Sequence, residues 1–187
     1  MPIKVVISWA AGAWKSTIIQ EIVKKLGYET ADIWQVFRAR AIAKELTIAE
    51  YDKLVEQHPE EDRELENEFK ETVEWSEKDI IVSWRMWFHC LPKIFSIRLD
   101  VEPEEGARRV FKQDRGEQEK KYNSVEEALQ ANQNRMKRLQ ERLLKVYDVD
   151  FMDKTNYDKI ISTDWQTLEE NVEAVISAIQ EHEKTLK

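Results

Sequence analysis

Apolar positions along the chain follow two different periods. "IKVVIS" (3–8) is a short β-branched apolar run, the pattern of a strand buried on both faces. "KSTIIQEIVKKLG" (15–27) has helical spacing and closes on Lys-Lys-Leu-Gly, as a helix C-terminus does. "YET" (28–30) is a candidate second strand. Residues 35–45 and 47–74 are polar, charged and free of long apolar runs, which predicts a helical insertion on the surface. "DIIVS" (79–83) and "IFSIRL" (94–99) are two further strand candidates. "PEEGARRVFKQD" (103–114) opens on proline and acids, as a helix start should. Residues 124–147 predict one long helix, with Ser124 and Glu127 spaced as a capping box. "YDKIIST" (157–163) predicts a last strand and 167–185 a last amphipathic helix. There is no internal repeat.

Strands alternating with helices imply a mostly parallel sheet with right-handed crossovers, an α/β fold. Ligands in such sheets bind beyond the carboxyl ends of the strands. The chemistry is therefore expected just after residues 8, 31, 83 and 99.

Composition narrows the function classes. The 187 residues fit one domain, or one domain with a mobile insertion. A net charge of -8 argues against a basic face for nucleic acid. The one cysteine, Cys90, allows neither an intrachain disulfide nor a cysteine metal cage. No apolar run nears the ~18 residues that span a bilayer. The N-terminus reads as a strand, not a signal peptide. The expectation is a cytoplasmic protein without membrane partners.

One pair of counts is out of line. Glycine numbers 4 and tryptophan 7. A glycine share of roughly 7% would give about 13 in a chain of this length, a number the two counts together approach. The tryptophans also stand where glycine serves best. Trp9 and Trp14 fall in the turn after the first strand, Trp34 at a helix junction, and Trp75 where a terminating glycine belongs. Trp84 and Trp87 follow "DIIVS", and Trp165 lies in the turn "STDWQT". All seven are read as off the apolar faces, at places that need backbone freedom and not bulk. A single cause predicts this: UGA codons, which specify glycine in some bacterial lineages, translated under a code that reads them as tryptophan.

With glycine at 9 and 14, "WAAGAWKST" becomes G-x-x-x-x-G-K-S-T, a phosphate-binding loop between strand and helix. The backbone N–H groups of the loop, Trp9, Ala10, Ala11, Gly12, Ala13, Trp14, Lys15, Ser16 and Thr17, would wrap a β-phosphate at the helix N-terminus. Lys15 would bridge the β- and γ-phosphates of ATP, and Ser16 would ligate Mg²⁺. An indole at 14 would fill this nest. The alternative for the loop is an ordinary strand-to-helix turn.

The chain resembles the cytidylate kinases, in their short archaeal-type form, over nearly its whole length. The resemblance rests on "ISWAAGAWKSTI" (7–18), "DIWQVFR" (32–38), "EEDRELENEF" (60–69), "IIVSWRMW" (80–87), "ARRVFKQDRG" (107–116) and residues 134–164. Trp9, Trp14, Trp34 and Trp84 each fall on a family glycine. The resemblance implies a P-loop nucleoside-monophosphate-kinase-like fold: three layers, α/β/α, with a five-stranded parallel sheet. It implies a single kinase domain with core 1–34, 76–108 and 143–187, a helical monophosphate-binding insertion at 35–75, and a helical lid at 109–122. Arg38 and Arg85 would grip the acceptor phosphate, and Asp62 would lie in the insertion around the base. Arg109, Lys112 and Arg115 would reach over the ATP phosphates. Arg135 and Arg142, seven apart on one helix face, would point at the transferring group. The implied reaction is phosphoryl transfer from ATP to CMP or dCMP by a monomer, with small molecules as its partners.

Alternatives stay open. The acceptor could be AMP or a small metabolite. A catalytically dead kinase acting as an interaction protein follows if Trp9 and Trp14 are native. The retention of Lys15, Ser16 and the arginines speaks against decay. Ser83 stands where an acidic or small polar residue is expected. Single arginines such as Arg138 could be solvated helix charges, and the Glu-rich run 60–72 reads most simply as a solvated face. His89 and Cys90 read as packing, His58 and His182 as surface residues.

Overall fold

The computed structural model describes residues 2–112 and 121–186. Five strands, β1 (Lys4–Trp9), β2 (Glu29–Asp32), β3 (Ile80–Ser83), β4 (Phe95–Asp100) and β5 (Lys159–Ser162), form one sheet in the order β2-β3-β1-β4-β5. Every pairing is parallel; Val5 sits beside Ile81 on one side and Phe95 on the other. The β-branched residues of β1 and β3 are buried on both faces, which is why these runs show no alternation.

Helices cover both faces, giving three layers. On one face, α1 (Lys15–Leu26) and α8 (Leu168–Thr185) pack Ile18, Ile22, Val175 and Ile179 against Val5, Ile7, Ile97 and Leu99. On the other, Phe69 and Val73 of α4 (Pro59–Glu74) and Leu143 of α7 (Val125–Tyr147) pack against Val6 and Val82. The predicted insertion holds α2 (Ile33–Ala43), α3 (Ile48–Gln57) and α4, which share their own apolar cluster around Phe37, Tyr51 and Leu65. Gly27 ends α1 in a left-handed cap, its N–H donating to Val23 O.

Several boundaries differ from the sequence reading. The second strand runs on to Asp32, whose carboxylate caps α2 by accepting from the Trp34 N–H (3.1 Å). A four-residue helix, α5 (Trp87–Cys90), was not expected; it is too short to show a period. Helix α6 (Pro103–Lys112) ends the first described stretch. The eight residues of the predicted lid from 113 to 120, Arg115 among them, lie outside the described residues. At α7 the predicted capping box is split: Ser124 Oγ accepts from the Glu127 N–H, but the Glu127 carboxylate accepts from the Asn123 N–H.

The tryptophans divide into groups. Trp9, Trp14 and Trp165 have φ of 117°, 55° and 62°, the left-handed region that favours glycine. Trp75 caps α4 with an ordinary φ of -85°, so no glycine-requiring turn exists there. Trp9, Trp84 and Trp87 are buried, which corrects the reading that none of the seven lies in a core. Their neighbours are the aromatic side chains of the α4/α7 face: Trp9 tilts onto Phe151, Trp84 meets Phe69 edge-on, and Trp87 meets Tyr157. His182, read as a surface residue, stacks on Phe95 with ring centroids 4.1 Å apart.

Candidate active site

The loop between β1 and α1 has the backbone of a phosphate-binding nest. Trp9, Gly12 (φ 84°) and Trp14 all take left-handed torsions, and the Ala13 N–H donates back to Ala10 O (3.3 Å). Successive N–H groups around such residues face one concavity, which suits an anion. A Cβ on Gly12 would stand 2.3 Å from Gly106 O, so α6 closes directly on the loop. Arg109 of α6 secures that closure. It donates to Gly12 O (3.2 Å) and to Thr163 O (2.9 Å), pairs with Glu105 (2.9 Å), and lies 3.6 Å above the Trp14 ring. Arg109 therefore ties the loop to the end of β5, a contact that its place in the sequence did not reveal.

Lys15 opens α1, and its ammonium donates to Ser83 Oγ at the carboxyl end of β3. Burial pushes its pKa down to about 8, opposed by the carboxylate of Asp32 and aided by the guanidinium groups of Arg85 and Arg135. Arg85 is itself pushed down to about 10, by burial first and then by Arg135, and stays charged at neutral pH. Three cations thus gather beyond the ends of β1, β2 and β3, with Asp32 as the acid Lys15 feels. Such a cluster is completed by an anion. Lys15, Asp32 and Ser83 stand together near the strand ends after 8, 31 and 83, where the sequence reading expected the chemistry. At the end of β4, Asp100 is instead engaged by Arg98 (2.5 Å) and Lys154 (2.7 Å).

A cleft runs from this cluster between the insertion and α7. Arg85, Arg135, Arg138 and Arg142 line one part of it, and Asp62 and Glu66 another. Arg142 pairs with Asp52 of α3 (3.2 Å), and among the described residues its buried Nε has no hydrogen-bond partner. Asp62 accepts from the Tyr147 hydroxyl (3.0 Å), and Glu66 accepts from the indole Nε1–H of Trp84. Burial, with the Asp62 carboxylate next, pushes Glu66 up to about 8. The indole of Trp34 also enters the cleft, stacked on Phe37 and with Arg135 5.3 Å over its ring.

The structure thus brings together Lys15, Asp62, Arg85, Arg135 and Arg142 of the predicted residues. Arg38 lies on α2 one position past Phe37 and does not line the cleft. Lys112 is exposed at the end of α6, and Ser16 is exposed in the first turn of α1. The solvated-face reading of 60–72 is corrected at Asp62 and Glu66, both buried. Asp32, Asp52, Glu66 and Tyr147 were missed. Glu66 was within reach of sequence reasoning, because it follows Asp62 by one helical turn and shares its face. Asp52 and Tyr147 join the site through tertiary packing alone.

No family model matches the chain. The chain is 30% identical to the cytidylate kinase of Thermococcus kodakarensis over 95% of its own length and 88% of that protein's. It is 28% identical over 96% of its length to an S-adenosylmethionine-dependent nucleotide dehydratase of Lacinutrix mariniflava, of which it spans 36%. Among solved structures, the shikimate kinase of Bacteroides thetaiotaomicron superposes with a TM-score of 0.60 over 95% of this chain and 98% of that one, at 18% identity. The fold is that of the P-loop kinases, and the chain belongs to the cytidylate kinase family.

Proposed function

We propose that the chain transfers the γ-phosphoryl group of ATP to CMP or dCMP, giving ADP and the nucleoside diphosphate. The observation that carries this reading is the gathering of Lys15, Arg85 and Arg135 beyond the strand ends, beside a loop with nest torsions. Phosphoryl transfer asks a protein for positioning and charge neutralisation rather than covalent help. The buried cations, held down in pKa by burial and by one another, fit a polyphosphate in charge. Lys15 would reach the phosphates of ATP from the loop side. Arg85 and Arg135 would hold the acceptor phosphate, and Arg142 would approach the transferring group with its Nε, which has no hydrogen-bond partner among the described residues. No general base is required, because the attacking atom is already a phosphate oxygen. The Ser16 hydroxyl would hold Mg²⁺, which when bound neutralises charge on the β- and γ-phosphate oxygens. Arg109 acts as a positioning residue for the loop through Gly12 O.

The same reading assigns glycine to positions 9, 14, 34, 75, 84, 87 and 165 of the native protein. The left-handed torsions at Trp9, Trp14 and Trp165 support it, as do the indoles of Trp34 and Trp84 inside the cleft. The test is a transfer assay with ATP labelled in the γ-phosphoryl group, Mg²⁺, and CMP, dCMP or AMP as acceptor. It compares the tryptophan-bearing chain with one carrying all seven Trp→Gly replacements. Label in CDP and dCDP from the glycine chain alone is the expected result. Transfer to AMP in preference would assign another acceptor, and a folded glycine chain without any transfer would overturn the reading.

A further inference from the structure

The end of β5 holds the phosphate loop from a distance. The strand stops at Ser162, and the next residue, Thr163, is fully buried. Its N–H (2.8 Å) and its hydroxyl (3.1 Å) both donate to Asp100 O at the end of β4. A hydroxyl has one proton to give. Thr163 Oγ1 is therefore left as an acceptor, and Arg109 Nη1 donates to it (3.0 Å). Arg109 Nη2 donates to Thr163 O (2.9 Å) and Nε to Glu105 (2.9 Å). The same Nη1 reaches Gly12 O in the loop (3.2 Å). Asp164 adds a second hold. Both its carboxylate oxygens accept from the Glu102 N–H (3.1 and 3.0 Å), one residue ahead of α6.

These contacts set the direction of one loop peptide. In a trans peptide the C=O and the N–H that follows it point opposite ways, and the described residues hold no cis bond. With Gly12 O turned to Arg109, the Ala13 N–H is turned across the loop toward Ala10 O (3.3 Å). A Cβ on Gly106 would stand 3.0 Å from Ala11 O, so the loop feels even a small shift of α6. Apolar packing of Ala107 and Val110 on Ala128 of α7 also holds α6, but such packing is non-directional and orients no peptide. We infer that Thr163 and Asp164 are positioning residues for the phosphate loop: from the end of β5 they fix Arg109 and the start of α6, and through these the N–H groups of the nest. The structural half of this inference rests on the fold alone. Its kinetic half rests on the proposed ATP-dependent transfer.

Hydrogen–deuterium exchange of the ligand-free protein tests the structural half. The parent chain is compared with Thr163→Val, which keeps the shape and loses the hydroxyl, and with Thr163→Ser, which keeps the hydroxyl. Thr163→Val is expected to speed exchange of the amides of residues 11–18 about tenfold, the worth of one hydrogen bond to a charged group. Exchange in β1 and α8 should stay as in the parent, and Thr163→Ser should restore the loop to within about twofold. Unchanged loop exchange in Thr163→Val, or a rise shared equally by β1 and α8, overturns the inference. Should Thr163→Val fail to fold, Asp164→Ala at its half-buried neighbour carries the same expectation and the same refutation. In the chain with all seven Trp→Gly replacements, Thr163→Val should raise KM for ATP about tenfold and leave KM for CMP unchanged, with Thr163→Ser recovering the parent value. An equal rise in both KM values, or none in that for ATP, overturns the kinetic half. A seven-glycine chain that transfers nothing ends the kinase reading, and the exchange of the loop amides then decides the role of Thr163 by itself.

Discussion

Trp165 and Trp75 are almost equally exposed, at 98% and 81%, yet replacing each by glycine should change stability in opposite directions. Neither ring has a core to lose, so the backbone decides the sign. Trp165 sits at φ 62°, a left-handed conformation that costs an L-residue about 1–2 kcal/mol. Glycine takes that conformation freely, but loses about 0.5–1 kcal/mol more chain entropy on folding. The balance for Trp165→Gly is a gain of about 0.5–1 kcal/mol. In a chain of this size that raises Tm by about 1–4 °C. Trp75 ends α4 at φ -85°, where a side chain is at no disadvantage. Trp75→Gly relieves nothing and should lower stability by about 0.5–1 kcal/mol. Thermal melts followed by far-ultraviolet circular dichroism, supported by urea titration with an unchanged m value, measure both. A Tm that falls in Trp165→Gly, or moves in the same direction in both variants, refutes the reasoning from torsion to stability.

Other expected outcomes follow from the same geometry. Gly12→Ala places a Cβ 2.3 Å from Gly106 O at φ 84° and should cost about 2–4 kcal/mol, read as a Tm lowered by about 5–15 °C. Glu66 has a folded pKa of about 8, raised above the usual carboxylate range. The unfolded chain therefore loses this proton first, and the Glu66 contribution to stability falls as pH rises from about 4.5 to about 8. Glu66→Gln should accordingly gain stability relative to the parent between pH 5 and pH 8 in urea titrations; a constant difference across that range would contradict the burial of an ionising Glu66. Trp9→Gly alone should destabilise by a few kcal/mol in the same melts despite relieving φ 117°, because its ring packs on Phe151 and beneath Arg98 (3.4 Å).

The alternation of strands and helices was legible because the sheet is parallel and covered on both faces. That makes β1 and β3 near-continuous apolar runs and gives α1 and α8 clean apolar faces. Helix α5 was not legible, because four residues cannot display a helical period. The loop and Lys15 were legible from local spacing, and Arg135 and Arg142 from their seven-residue separation on α7 and the family resemblance. What stayed hidden depends on contacts distant in sequence. Arg109 is tied to Gly12 and Thr163, and Glu66 is buried by Trp84 rather than solvated with its glutamate neighbours. The burial of Trp9, Trp84 and Trp87 was hidden for a related reason. Their turn-like sequence context says nothing of the aromatic side chains of the α4/α7 face that receive them.

Whether the loop at residues 9–17 is a glycine-built phosphate loop turns on the identity of seven residues. The most direct measurement is to read the gene at the codons for 9, 14, 34, 75, 84, 87 and 165. The expected result is TGA at all seven and GGN at Gly12, Gly27, Gly106 and Gly116. TGG at positions 9 and 14 would make those tryptophans native, leave the nest without its glycines, and contradict the assignment of an ATP-dependent kinase.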